Sequence, residues 1–265
     1  MSFRKGLYSP HSETNPLASV AFGLLFHREF REVDIKAFVD AVNSDLIRVV
    51  PGRKFLKGQT FEISNGVPRA LDLEQISGVE YSKFNDAGEP IVTFKVNGAE
   101  ARVLLSSYQS WQLAWEVVSP ILETALSVLC GLNSQKALVS QYQDIYKVEK
   151  GVSGWKNVLF RENSKYLPSF IYECDDLWHS HSGWYDYLEN RKLLTQLFLN
   201  FLDQQDEESS SVYSVLDMKF NHVLHLNEGE NTPLEWKTVF RSIHDYNKMI
   251  FSNMLSDDEC GAIGL

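Results

Sequence analysis

The stretch from Pro90 to Leu132 constrains the fold most, because it joins a hairpin to a long amphipathic helix. Ile91-Val92-Thr93-Phe94-Lys95-Val96 and Ala99-Glu100-Ala101-Arg102-Val103-Leu104-Leu105 flank Asn97-Gly98. A type I′ turn needs positive φ at both central positions, and asparagine and glycine tolerate it, so the pair predicts a two-residue hairpin. Ser106, Ser107 or Ser110 then offers a helix cap. After them Trp111, Ala114, Trp115, Val118, Leu122, Ala125, Leu126 and Leu129 recur at helical steps. That stripe is broad enough to cover a sheet. Pro120 lacks a donor and crowds the preceding turn, which predicts a kink near Ser119 or a break into two segments. Gly131 and Asn133 close the helix.

Upstream, Val20 to Phe26 reads as a buried strand. Asp34 caps a helix with the stripe Ile35, Phe38, Val39, Val42 and Leu46. Thr60 to Ser64 and Val79 to Phe84 read as strands, with turn chemistry at Asn65-Gly66, Val67-Pro68 and Asn85-Asp86-Ala87-Gly88. Downstream, strands are expected at Ala137 to Tyr146, Ser169 to Glu173, Lys192 to Leu202 and Val212 to Leu226. The acidic, serine-rich run from Asp203 to Ser211 forms a loop. Thr232-Pro233-Leu234-Glu235 is a capping box opening a last long helix, with the face Trp236, Val239, Phe240, Ile243, Met249, Ile250 and Met254. Ser256 caps one further turn. The expected fold is α+β: two related units of mainly antiparallel sheet with long helices packed on one face. The N-terminal unit covers 1–150 and the C-terminal unit 151–265, sharing one core.

A chain of 265 residues, 44% hydrophobic, has enough apolar surface for a substantial core. Its formal charge of -10 repels phosphate backbones and disfavours nucleic acid as a partner. Arg48, Arg53, Lys54 and Lys57 form the one basic group, read as a solvated loop beside Pro51, Gly52 and Gly58. Cys130, Cys174 and Cys260 lie far apart without a CxxC pair, which fits a reducing compartment and not a disulfide framework. A polar start and the lack of a long apolar run lead to the expectation of a cytoplasmic protein that meets no membrane.

Motifs for chemistry are sparse. No phosphate-binding glycine loop, nucleophile elbow or HExxH occurs, and no catalytic residue or cofactor is assigned. Asp175, Asp176, His179 and His181 form the densest polar group. On a strand both imidazoles would share a face, which keeps a metal-dependent hydrolase as the alternative function. A solvated turn before Trp184 is the plainer reading, and no metal ligand is assigned. His222 and His225 fall on opposite faces of a strand, and Asp217 is expected in a cross-strand polar contact. His244 and Asp245 are placed on the solvent edge of the last helix.

Aromatic residues crowd the second half: Trp155, Phe160, Tyr166, Phe170, Tyr172, Trp178, Trp184, Tyr185 and Tyr187. Tryptophan and tyrosine combine large rigid area with a polar handle, which suits them to interfaces. With Asp175, Asp176 and Asp186, the residues Trp178, Trp184, Tyr185 and Tyr187 make the candidate binding surface. Its partner would be another protein, favoured to be basic, and a homo-oligomer is compatible with it.

Several short motifs span nearly the whole chain: Asn15-Pro16-Leu17 before Val20, Phe22 and Phe26; Tyr108 and Trp111; Gln141-Tyr142 and Asp144. They continue through Asp176, Trp178 and Gly183, Leu216-Asp217, and Ile243-His244 with Asn247 and Phe251. In this order the chain resembles a sporadically distributed family of bacterial and archaeal proteins of similar length and unknown function. Such families often lie near mobile or defence genes. The resemblance implies a role in neutralising or regulating a toxin, nuclease or other effector, and it carries over no catalytic residue.

Overall fold

Ten strands and six helices make up the regular structure of the computed structural model, which describes residues 7–12, 15–64, 67–174, 176–205, 212–227 and 235–265, with side chains outside 59–73. The chain is α+β. It divides into two units, Met1–Val20 with Ser140–Leu224 and Glu235–Leu265, and Ala21–Val139 with His225–Leu234. Strands β2 (Leu17–Phe26) and β7 (Gln135–Val148) each lend residues to both.

The unit built from Ala21–Val139 holds β3 (Gly52–Ser64), β4 (Val67–Phe84), β5 (Pro90–Asn97) and β6 (Glu100–Leu105), paired in that order. Register puts Val96 opposite Ala101 and Asn97 opposite Glu100. The turn is therefore Gly98-Ala99, one residue later than Asn97-Gly98 implied. Gly98 alone of the two takes positive φ, 57°, as in turns that place glycine at the first central position. β4 extends back through Val67-Pro68, so that pair is strand and not turn. Arg53, Lys54 and Lys57 are likewise strand residues of β3, not a loop, and the Arg53 guanidinium donates to Asn43 Oδ1 at 2.8 Å. The Asn85 side chain organises the next turn, accepting from the Ala87 and Glu89 amides at 3.1 and 2.9 Å.

Helix α1 (Glu32–Val49) begins two residues before Asp34. Asp34 sits at its third position, where its carboxylate takes the Arg31 amide at 3.0 Å and the Arg28 guanidinium at 2.7 Å. The Arg31 guanidinium, whose Nε also donates to this carboxylate at 3.2 Å, and then the Arg28 guanidinium hold its carboxyl far below the usual range. Helix α2 (Trp111–Leu132) is capped by Ser110 Oγ, which accepts from the Leu113 amide at 3.3 Å. It runs unbroken through Pro120, whose position on the exposed side leaves the buried stripe intact. Trp111 and Trp115 stack at 5.1 Å and both set an edge against Phe22 of β2. Phe38 of α1 meets Phe94 of β5 at 6.1 Å, and burial of each such ring is worth about 2 kcal/mol or more. Among the described residues α2 is the one helix long and apolar enough to cross a membrane, and its stripe from Ala114 to Leu129 is buried inside the protein.

In the other unit β7 pairs with β10 (Val212–His225), then β9 (Arg191–Gln205), then β8 (Trp178–Leu188), with β1 (Tyr8–Pro10) also on β7. Helices α3 (Trp155–Leu159), α4 (Phe170–Glu173), α5 (Trp236–Met254) and α6 (Asp257–Ile263) complete it. Residues 170–173 are helical where a strand was expected: the turn starts at Pro168, whose carbonyl accepts from Ile171, and Ser169 accepts from Tyr172. The expected loop at 203–211 begins as strand, because Asp203, Gln204 and Gln205 close β9 in register with Ser214, Tyr213 and Val212. Its remainder at 206–211 lies outside the described residues, as do Thr232, Pro233 and Leu234 of the capping box that ends at Glu235. In α5 the buried face is Val239, Phe240, Ile243, Asn247, Ile250, Phe251 and Met254, so Met249 is exposed and Asn247 takes an inward position. Ser256 Oγ caps α6 by accepting from the Glu259 amide at 3.3 Å.

Candidate functional site

Period-two alternation divides β8 into two rows with different surroundings. Trp178, Ser180, Ser182, Trp184 and Asp186 form one row; His179, His181, Gly183, Tyr185 and Tyr187 form the other, which is exposed along its whole length. A strand thus stands where a solvated turn was the plainer expectation.

The first row looks toward the helices. Trp178, 7% exposed, is turned into the core, stacked with Phe201 at 6.0 Å and meeting Phe170 edge-on. It therefore presents no face to a partner, in contrast to its expected place on the binding surface. Trp184 is half-buried, lies over Tyr166 at 5.3 Å, and donates its indole N–H to the Tyr246 hydroxyl at 3.3 Å. That hydroxyl in turn donates to Asp186 Oδ2 at 3.1 Å. Burial pushes the Tyr246 phenol above its ordinary pKa, with the Asp186 charge adding to the rise. Tyr246 thus clamps the end of β8 to α5, reinforced where Ser242 donates to Glu189 Oε1 at 2.6 Å.

The second row carries the exposed aromatics. Tyr187 is 75% exposed and Tyr185 58%. Lys192 Nζ sits 4.0 Å above the Tyr185 ring, and His181 lies flat on Phe198 at 4.0 Å. Asp186 Oδ1 also accepts the Tyr187 amide at 2.8 Å. Asp176 is exposed beside a cleft of about 440 Å³ also lined by Lys150, Trp155, Tyr172 and Asp203, and Asp175 lies outside the described residues. Period two therefore brings Tyr185 and Tyr187 together and sends Trp184 and Asp186 to the opposite side.

His179 and His181 do share a face. Yet among the described residues no three histidine, cysteine, aspartate or glutamate side chains come together in a way that could hold a metal ion. Of the four residues of the hydrolase alternative, Asp176, His179 and His181 are described and make no such group, and Asp175 lies outside the described residues.

Behind β8 lies a polar network that the sequence reading passed over. His222 of β10, 0% exposed, has Nδ1 3.0 Å from Thr195 Oγ1 and Nε2 2.9 Å from Asn247 Oδ1. Burial lowers its pKa to about 4. A signal was present: His222 follows Met218 and Phe220 at inward steps, and Asn247 interrupts the apolar stripe of α5. Asp217, on the other face, accepts from Gln143 Nε2 at 2.9 Å, the cross-strand contact expected. His244 turns inward against Tyr142, with ring centroids 6.0 Å apart, and burial lowers its pKa to about 4. It does not lie on the solvent edge, because the helix rotates it toward β7.

Two buried carboxyls complete this core. Asp144 of β7, 3% exposed, sits between Tyr142 and Tyr146 on the inward row, and burial first, then the Asp217 charge, raises its pKa to about 8. Glu259 accepts the Tyr8 hydroxyl at 2.8 Å and the Tyr146 hydroxyl at 3.4 Å.

No family model matches the chain, and neither a curated protein nor a solved structure does.

Proposed function

We propose that the protein is a binding module for another protein, docking it on the exposed row of the β8–β9 hairpin. The observation that carries this reading is the pair Tyr185 and Tyr187, which stand 58% and 75% exposed on a strand pinned from behind by Tyr246. Two large side chains with few rotatable bonds, on a rigid element, lose little entropy on docking. A net charge of -10 steers a basic partner toward the chain. The chemistry therefore favours a basic toxin, nuclease or other effector, which the module would neutralise or regulate, as the sequence resemblance implies for a bacterial defence setting.

The test is capture of the partner from the source organism, its identification by mass spectrometry, and affinity measurement with purified components. Replacing both Tyr185 and Tyr187 by alanine is expected to weaken binding at least a hundredfold, with an association rate that falls as salt rises. Unchanged affinity in the double variant, or a partner as acidic as this chain, refutes the assignment.

A further inference from the structure

The main-chain edge of β8 faces away from β9. Leu188 and Arg191 close a two-residue turn and so form a hydrogen-bonded pair, which puts Tyr187, opposite Lys192, in the next, non-hydrogen-bonded pair, with its amide donating to the Asp186 side chain. In an antiparallel pair the N–H and C=O of one residue point to the same side, and successive residues alternate. The main chains of His179, His181, Gly183, Tyr185 and Tyr187 therefore point outward. The close stacking of His181 on Phe198 agrees, because residues opposite each other without mutual hydrogen bonds bring their side chains nearest.

Edges of this kind are commonly blunted by lysine, proline or a bulge. Residues 178–188 contain neither lysine nor proline, their register with β9 is unbroken, and Asp186 is their one acidic residue. Among the described residues β8 pairs with β9 alone. Gly183 at the middle is exposed, and a Cβ there would come no closer than 3.5 Å to the Thr195 carbonyl oxygen, so contacts within the chain do not require glycine. Glycine inside a strand often marks the close approach of another backbone.

We infer that the occupant of this edge is a second copy of the same chain, its β8 running antiparallel about a two-fold axis at Gly183. The strand is complementary to itself in that register. The eleven residues overlap end to end, and a shift by two residues either way loses pairs at both ends. Every outward residue meets an outward residue: Gly183 faces Gly183, Tyr185 faces His181, and Tyr187 faces His179, giving about eight main-chain hydrogen bonds with the Tyr187 amides kept by Asp186. On the helix side Asp186 meets Ser180 and Trp184 meets Ser182, so no like charges are opposed. The dimer needs no foreign partner, so it stands or falls separately from the docking role of the tyrosine row.

Sedimentation velocity of the full chain over a range of concentrations, alone, tests the pairing. The wild type is expected to pass from monomer to dimer. Gly183→Pro, and separately the double variant His181→Lys with Tyr185→Lys, which sets lysine against lysine twice, are expected to raise the dimer dissociation constant at least tenfold. Hydrogen exchange on the unmodified chain keeps the test valid if a variant misfolds: at high concentration the amides of 179, 181, 183 and 185 should slow, and those of 180, 182 and 184 should not change. A chain that stays monomeric, or a dimer that leaves the odd-numbered amides unprotected, overturns the inference. Protection that appears only on adding a captured basic partner overturns the dimer and leaves the docking role intact.

Discussion

His222 Nε2 lies 2.9 Å from Asn247 Oδ1 while its Nδ1 lies 3.0 Å from Thr195 Oγ1, so one imidazole joins β10, α5 and β9 inside the core. The amide oxygen can only accept, which makes Nε2 the protonated nitrogen and Nδ1 the acceptor for the threonine hydroxyl. Replacing His222 by leucine strands both partners in a dry site and should cost about 2 to 4 kcal/mol in urea unfolding. Adding Asn247→Leu should recover part of that loss, a coupling readable from a double-mutant cycle.

The buried acid and the buried imidazoles give stability opposite dependences on pH. His222 and His244 have folded pKa values lowered to about 4 from 6.5, so the unfolded chain takes up protons first and stability is lost as pH falls from 6.5 toward 4. Asp144 has a folded pKa raised to about 8 from 3.8, so its contribution is complete below 3.8 and is lost as pH rises toward 8. Above pH 6.5 Asp144 acts alone among these three groups, with a slope of up to about 1.4 kcal/mol per pH unit. Asp144→Asn should flatten the alkaline limb of a stability profile and leave the acid limb steeper than in the wild type. A wild-type profile already flat between pH 6.5 and 8 would contradict this.

Gly78 of β4 stands opposite Asn97 of β5, and a Cβ there would sit 2.4 Å from the Val96 carbonyl oxygen. The obstacle is main chain in a paired strand and cannot swing away. Gly78→Ala is therefore expected to destabilise by about 2 to 3 kcal/mol in chemical denaturation, although alanine in most strands is better tolerated than glycine.

Two aromatic residues of β8 should respond in opposite ways. Trp178 packs on Phe201 and Phe170, so Trp178→Ala should lower stability by about 3 to 5 kcal/mol. Tyr187 is 75% exposed, and Tyr187→Ala should stay within about 0.5 kcal/mol of wild type. Parallel thermal melts of the two variants separate a structural from a surface role.

Helical stripes and strand alternation were legible because burial writes its own period into the sequence, as in the run from Ala114 to Leu129 and the inward row of β10. The hairpin at 90–105 was legible to within one residue of its turn, where the dihedral preference of Gly98 outweighed that of Asn97. What escaped depended on partners distant in sequence. Nothing near His222 announces Asn247, and Trp178 could not be told from Trp184 until β9 and α4 supplied its neighbours. The strand character of 178–188 was obscured because its outer row is polar and aromatic and its centre is glycine.

The reversal between β8 and β9 is made by Glu189 and Asn190, both at positive φ, 51° and 62°, without any glycine. This tight two-residue link locks the phase of the ribbon. One inserted residue at that link would roll β8 over, hiding Tyr185 and Tyr187 and thrusting both tryptophans into water, so the identity of the outward surface hangs on the length of this single connection.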